Sequence, residues 1–204
     1  IHIEDTKDRV VKRFASYELG KPVHLPDSFA PNEDILNAYI KRVGRDNRVH
    51  IYSHFGSKDP SVIVDAIRYL ITVAQCRIVF LDHVSMVVSG LQEDDERKVL
   101  DALGTNLATM VNDLDAALVC VSHVNDNGRT RGSRIFEQVA HTILSLQRDS
   151  KSIDAQERNT TFVTLEGNRI GSVTGPVGGL VFDPKTWRIE ESKDWEKNYL
   201  KLQE

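Results

Sequence analysis

With 204 residues, 40% hydrophobic and 27% charged, the chain has the composition of an ordinary soluble globular protein and the length to bury a full core. Its formal net charge of -4 gives no basic footprint, which excludes a nucleic-acid binder working through whole-chain charge; any such grip has to come from individual loops. No stretch is long enough to span a bilayer, no signal peptide opens the chain, and Cys76 and Cys120 lack the spacing of a zinc site or a redox pair, so both read as small core residues in a reducing, cytoplasmic setting.

In chain order, Ile1–Ile3 reads as the end of a strand, and with no initiator Met the chain is expected to be a piece of a longer protein. Residues from Glu4 to about Ser16 carry Val10, Val11 and Phe14 at helical spacing. Gly20 with Pro22, Pro26 and Pro31 marks a loop. Asn32–Val43 is an amphipathic helix with Gly44 as its stop signal, and Val49–Tyr52 reads as a short strand. From Ser61 to Ala74, apolar residues recur at steps of three and four, predicting a helix with one buried face. Arg77–Asp82 and Ala116–Ser122 are short apolar runs of the kind buried on both faces of a parallel sheet, and Asp94–Leu114 between them is helical. A helical turn at Glu137–Ala140 precedes strands at Thr142–Leu146, Thr160–Leu165, Leu180–Asp183 and Trp187–Glu190. The charged tail, residues 191–204, is expected to fray or form an exposed helix, leaving one domain over residues 1–190. Alternating strands and helices predict an α/β fold with a mostly parallel central sheet covered on both faces.

Asp82 is the sharpest chemical feature. An acid at the carboxyl end of a buried parallel strand can hold a magnesium ion through water. Taken alone, it is equally an ordinary strand-end aspartate closing a loop. Read onward, Leu81-Asp82-His83-Val84-Ser85-Met86-Val87-Val88-Ser89, Val119-Cys120-Val121-Ser122-His123, Thr130-Arg131-Gly132-Ser133, Gln138, Asn168-Arg169 and Thr174-Gly175 follow one another in order. In these stretches the chain resembles the motor domain of bacteriophage primase–helicases, relatives of the bacterial replicative ring helicases. The resemblance covers about residues 1 to 190.

That resemblance implies a RecA-like P-loop NTPase fold with its N-terminal elements missing. It implies an ATP-dependent DNA helicase that hydrolyses ATP, or another NTP, with Mg2+ at subunit interfaces of a ring, expected to be a hexamer, while moving along single-stranded DNA in a bacterial or phage-infected cytoplasm. It carries roles to named residues. Glu4 orients the attacking water, Asp82 holds the magnesium, His123 senses the γ-phosphate, Gln138 lies near the phosphates, and Arg169 is the finger reaching a neighbour's ATP. The segment from Asn125 to Arg134 corresponds to a DNA-binding loop, with Arg129, Arg131, Gly132, Ser133 and Arg134 as backbone contacts. Gly167 departs from the family pattern, which has a Lys there. No G-x-x-x-x-G-K-[ST] occurs in the 204 residues, so the chain alone is expected to bind ATP weakly and not to turn it over. A RecA/Rad-like recombinase ATPase and a degenerate, non-hydrolysing DNA-binding or scaffold domain are the alternatives.

Overall fold

Asp59-Pro60-Ser61 starts a helix with a side-chain cap: the Asp59 carboxylate accepts a 2.9 Å bond from the Ser61 N–H, and Pro60 occupies a position where no amide is needed. That bond holds the Asp59 carboxyl below its ordinary range. The computed structural model describes residues 1, 3, 5–44, 48–53, 59–88, 92–123, 134–196 and 199. Its elements are α1 (Lys7–Leu19), α2 (Asn32–Val43), α3 (Pro60–Thr72), β1 (Ile78–Leu81), α4 (Glu93–Asp113), β2 (Ala117–Cys120), α5 (Ile135–Val139), β3 (Thr142–Gln147), α6 (Ala155–Asn159), β4 (Thr160–Asn168), β5 (Gly175–Asp183) and β6 (Arg188–Glu191), with a 3-10 turn at Val84–Val88. They form two compact units, Ile1–Val11 with Val43–Ala140, and Lys12–Arg42 with His141–Glu204.

The first unit is built on β1. β2 pairs with it in parallel, from Ile78 opposite Ala117 to Leu81 opposite Cys120. On the other edge of β1, the Ile1 nitrogen donates to Phe80 O at 2.6 Å, Asp82 N to Ile1 O at 3.0 Å, and Ile3 N to Asp82 O at 2.9 Å. Ile1 and Ile3 therefore bond along the edge of β1, although neither is in the strand that the sequence implied. The core joins Ile63, Ile67, Leu70 and Ile71 of α3 to Val79 and Leu81 of β1, to Val84, Val87 and Val88 of the 3-10 turn, and to Leu100, Leu103, Leu107 and Met110 of α4. Burying such side chains stabilises by about 1.5–3 kcal/mol each.

Two expectations fail in this unit. β1 and β2 are not buried on both faces: Ile78 and Phe80 are 57% and 59% exposed, and Val119 and Val121 stand out beside them. α3 and α4 fill one face only, and among the described residues no second helical layer covers the other. Val49–Tyr52 is not a strand; only Ser53 makes an isolated bridge.

In the second unit, the four-stranded sheet runs β3-β4-β5-β6 and every pairing is antiparallel, so the expected mostly parallel sheet is corrected here. The connections explain it. Residues 169–174 and 184–187 are too short for the crossover that parallel neighbours require. At the second of these turns, Asp183 accepts from Thr186 Oγ1 at 2.7 Å and from Lys185 N at 2.9 Å, which keeps its carboxyl below the usual range. The register shifts at Glu166 and again at Val177, one extra residue each time. α1 ends at Gly20, whose φ of +64° only glycine adopts freely, and Arg188 Nε donates to Tyr17 O at 3.1 Å beside that end.

Of the tail, residues 191–196 and 199 are described, with Trp195, Glu196 and Tyr199 helical. Ser192 is buried, its N–H donates to Gly179 O at 2.8 Å, and Trp195 and Tyr199 meet edge to face at 6.5 Å, with Tyr199 also 5.6 Å from Phe162 of β4. A second aromatic group forms at β6, where Trp187 meets His24 at 4.1 Å and Phe182 at 5.3 Å.

Candidate functional site

The parallel pairing of β1 with β2 brings two polar residues of separate sequence stretches to the same end of the sheet. Asp82 follows β1 directly, and His123 follows β2 by three residues. The ends are clamped: Val121 N donates to Leu81 O at 2.9 Å, and Val84 N donates back to Val121 O at 3.1 Å. Between them lies His83, 6% exposed, with Nδ1 2.8 Å from Ser85 Oγ. Its ring meets that of the exposed His123 edge to face, with centroids 4.3 Å apart and planes at 85°.

Asp82 is half-buried. Among the described residues no group of three or more His, Cys, Asp or Glu side chains could hold a metal ion together. A strand-end carboxylate such as that of Asp82 suits magnesium, which keeps most of its water and is commonly shared between one or two carboxylates and phosphate oxygens. Cys120, next to this end of β2, is no nucleophile: burial pushes its thiol up to about 12, and both cysteines are free and packed against the core.

Several of the expected residues lie elsewhere. Glu4, Arg129, Arg131, Gly132 and Ser133 are outside the described residues. Asp5, beside Glu4, is buried, and its carboxylate accepts from Arg9 Nη1 at 3.1 Å, the pairing of a helix-start acid. Arg134 and Gln138 are exposed, the first just ahead of α5 and the second on it, and α5 rests on α4 where Gly104 faces Ile135. Arg169 belongs to the second unit, exposed at the start of the turn from β4 to β5. The base of that turn is firm: Arg169 N donates to His141 O at 2.8 Å, Gly171 N to Asn168 Oδ1 at 2.9 Å, and Asn168 Nδ2 to Val173 O at 3.3 Å.

No protein-family model matches the chain. It is 29% identical over 161 residues to the DNA helicase/primase of Enterobacteria phage T3, covering 72% of this chain and 28% of that protein. It is 26% identical over 160 residues to a probable plasmid replicative DNA helicase of Chlamydia muridarum (strain MoPn / Nigg), covering 73% and 33%, and 25% identical over 144 residues to the corresponding protein of Chlamydia trachomatis. The chain is thus similar to replicative DNA helicases over 72% and 73% of its length in the first two of these. It spans about a third or less of the length of the helicases it matches. Among the described residues, no helix of the chain is long and apolar enough to cross a membrane.

Sequence reasoning gave no role to His83, Ser85 or Asn168. His83 and Ser85 were legible only as a His and a Ser two apart after a strand, and their contact with His123 depends on β1 and β2 being neighbours. Asn168 stands in a strand-end position beside glycines, where its side chain bonds the turn locally.

Proposed function

We propose that the chain is the part of a RecA-like helicase motor that responds to the triphosphate and passes the response to DNA. The observation that carries this reading is the pairing of β1 with β2, which sets Asp82 and His123 at neighbouring strand ends. Ligands of open α/β sheets bind at such carboxyl ends. Bound there, magnesium would offset charge on the phosphate oxygens, with Asp82 accepting hydrogen bonds from its water. Glu4 would hold the attacking water in line, Gln138 would lie near the phosphates, and His123 would donate to a γ-phosphate oxygen only while that phosphate is present. Arg169, exposed on a braced turn, would reach the ATP of the next subunit in a hexameric ring. Arg129, Arg131, Gly132, Ser133 and Arg134 would contact single-stranded DNA phosphates.

The 204 residues carry no phosphate-binding loop. The chain alone therefore binds ATP poorly, and calorimetric titration showing sub-millimolar binding would overturn that point. The motor reading is tested on the longest product of the gene, by ATP hydrolysis with and without single-stranded DNA. DNA-stimulated turnover that Asp82→Asn and Arg169→Ala each abolish supports it. Tight ATP binding with no turnover under any condition replaces it with a non-hydrolysing scaffold. Stimulated turnover with no duplex unwinding points instead to a recombinase-type ATPase.

A further inference from the structure

We propose that His83 is a positioning residue, held in place by Ser85, that fixes the imidazole of His123 at the end of β2. The proposal rests on the reading of His123 given above, and deepens it by naming what aims that ring. Exposed on its strand end, His123 makes one ring contact among the described residues, and that contact is with His83. An exposed histidine with nothing behind it samples several rotamers, each a different place for its N–H. His83 is different, because everything around it is tied down. Asp82 on one side bonds to Ile1 and Ile3, Val84 on the other bonds to Val121, and its own Nδ1 meets Ser85 Oγ at 2.8 Å. Val84, Ser85, Val87 and Val88 are all buried, so the 3-10 turn that follows His83 is anchored in the core. An edge-to-face ring pair at 4.3 Å is directional, favouring one relative tilt over a parallel sandwich.

The consequence is a short path between strand ends. Asp82 and His83 are chain neighbours, so the carboxylate at the end of β1 and the ring on which His123 leans are fixed by the same tied-down segment. The arrangement links the Asp82 end of β1 to the tip of β2 through the edge-to-face ring contact.

The direct readout is the His123 ring correlation in a 1H–13C spectrum of the chain, assigned by its disappearance in His123→Ala. With wild-type geometry, the ring of His83 displaces the His123 signals from those of a free histidine. His83→Ala is expected to abolish that displacement, His83→Phe to keep most of it, and Ser85→Ala to reduce it by loosening His83. His123 signals unmoved in a folded His83→Ala chain overturn the proposal. Should His83→Ala not fold, Ser85→Ala decides, and unmoved His123 signals there overturn it equally. In the longest gene product, His83→Ala is expected to lower kcat on the order of 10- to 100-fold with little change in KM, and His83→Phe to restore much of it. Signals that move while His123→Ala leaves DNA-stimulated hydrolysis intact uphold the positioning and refute the functional reading; the reverse pattern refutes the positioning alone.

Discussion

Gly104 offers the sharpest test of how α5 is held. It lies inside α4, where a Cβ would stand 2.6 Å from Ile135 Cγ2, 3.2 Å from Cγ1 and 3.5 Å from Cβ. Gly104→Ala therefore sets two effects against each other. Alanine in a helix interior is favoured over glycine by about 0.5–1 kcal/mol. Against that, the contact has to open by at least 0.4 Å to reach the 3.0 Å below which real Cβ contacts essentially never occur. The obstructing atom is a methyl on a β-branched side chain, whose χ1 is stiff, so α5 or the Ile135 rotamer has to yield. Overpacking of this kind costs about 1–3 kcal/mol, so the substitution is expected to destabilise by up to about 2.5 kcal/mol net. In an Ile135→Ala background the methyl is gone, and the same change is expected to stabilise by about 0.5–1 kcal/mol. Urea unfolding of the four proteins, followed by far-UV circular dichroism, gives the coupling as a double-mutant cycle. Gly104→Ala stabilising both backgrounds equally would refute the packing of α5 on α4, and with it the support under Gln138.

Ile67, with no exposed surface, is expected to cost about 2–5 kcal/mol as Ile67→Ala, whereas Phe80→Ala on the open face costs below about 1 kcal/mol; equal losses in urea titration would mean that face is covered. Cys120, with its thiol raised from 9.0 to about 12, is expected to react with a disulfide reagent far more slowly in the folded chain than in urea. The sign for stability follows: between those values the unfolded chain releases a proton that the folded chain keeps, so stability falls as pH rises past 9.0, and Cys120→Ala is expected to flatten that part of the urea-midpoint profile. Asn168→Ala removes both side-chain bonds across the turn that begins with Arg169, and is expected to cost about 1 kcal/mol and to speed hydrogen exchange at the Gly171 amide; unchanged exchange would show that the turn stands without them.

Legibility in the sequence followed the physics of each element. Asn32–Val43 was readable to the residue because acids at its start, bases at its end and a following Gly44 at φ +84° all agree with an apolar stripe. α1 starts later than the reading from Glu4, at Lys7, because Thr6 caps it: Arg9 N donates to Thr6 Oγ1 at 3.3 Å, and the helix runs Lys7–Leu19. The runs at β1 and β2 were apolar enough to suggest double burial, yet composition cannot say whether a second layer exists to cover them. β5 was seen only from Leu180, since Gly175-Pro176-Val177-Gly178-Gly179 looks like a loop; the extra residue at Val177 accommodates the proline. Trp195 and Tyr199 were overlooked among the charges of the tail, although two large aromatics in such a stretch are anchors in search of a surface. At the site, Asp82 and His123 stood out as strand-end residues, while the ring contact between His83 and His123, forty residues apart in sequence, required the strand pairing itself.

Trp187 and Trp195 are the two tryptophans of the chain, and both lie in the second compact unit. Tryptophan emission, excited at a wavelength that spares Tyr52 and Tyr69 of the first unit, is thus a private signal of the second unit. Circular dichroism hears both units at once. Superimposing the two melting curves from a single sample turns an accident of tryptophan placement into a meter of cooperativity: coincident curves mean that the halves melt as one body, and separated curves give each half its own midpoint.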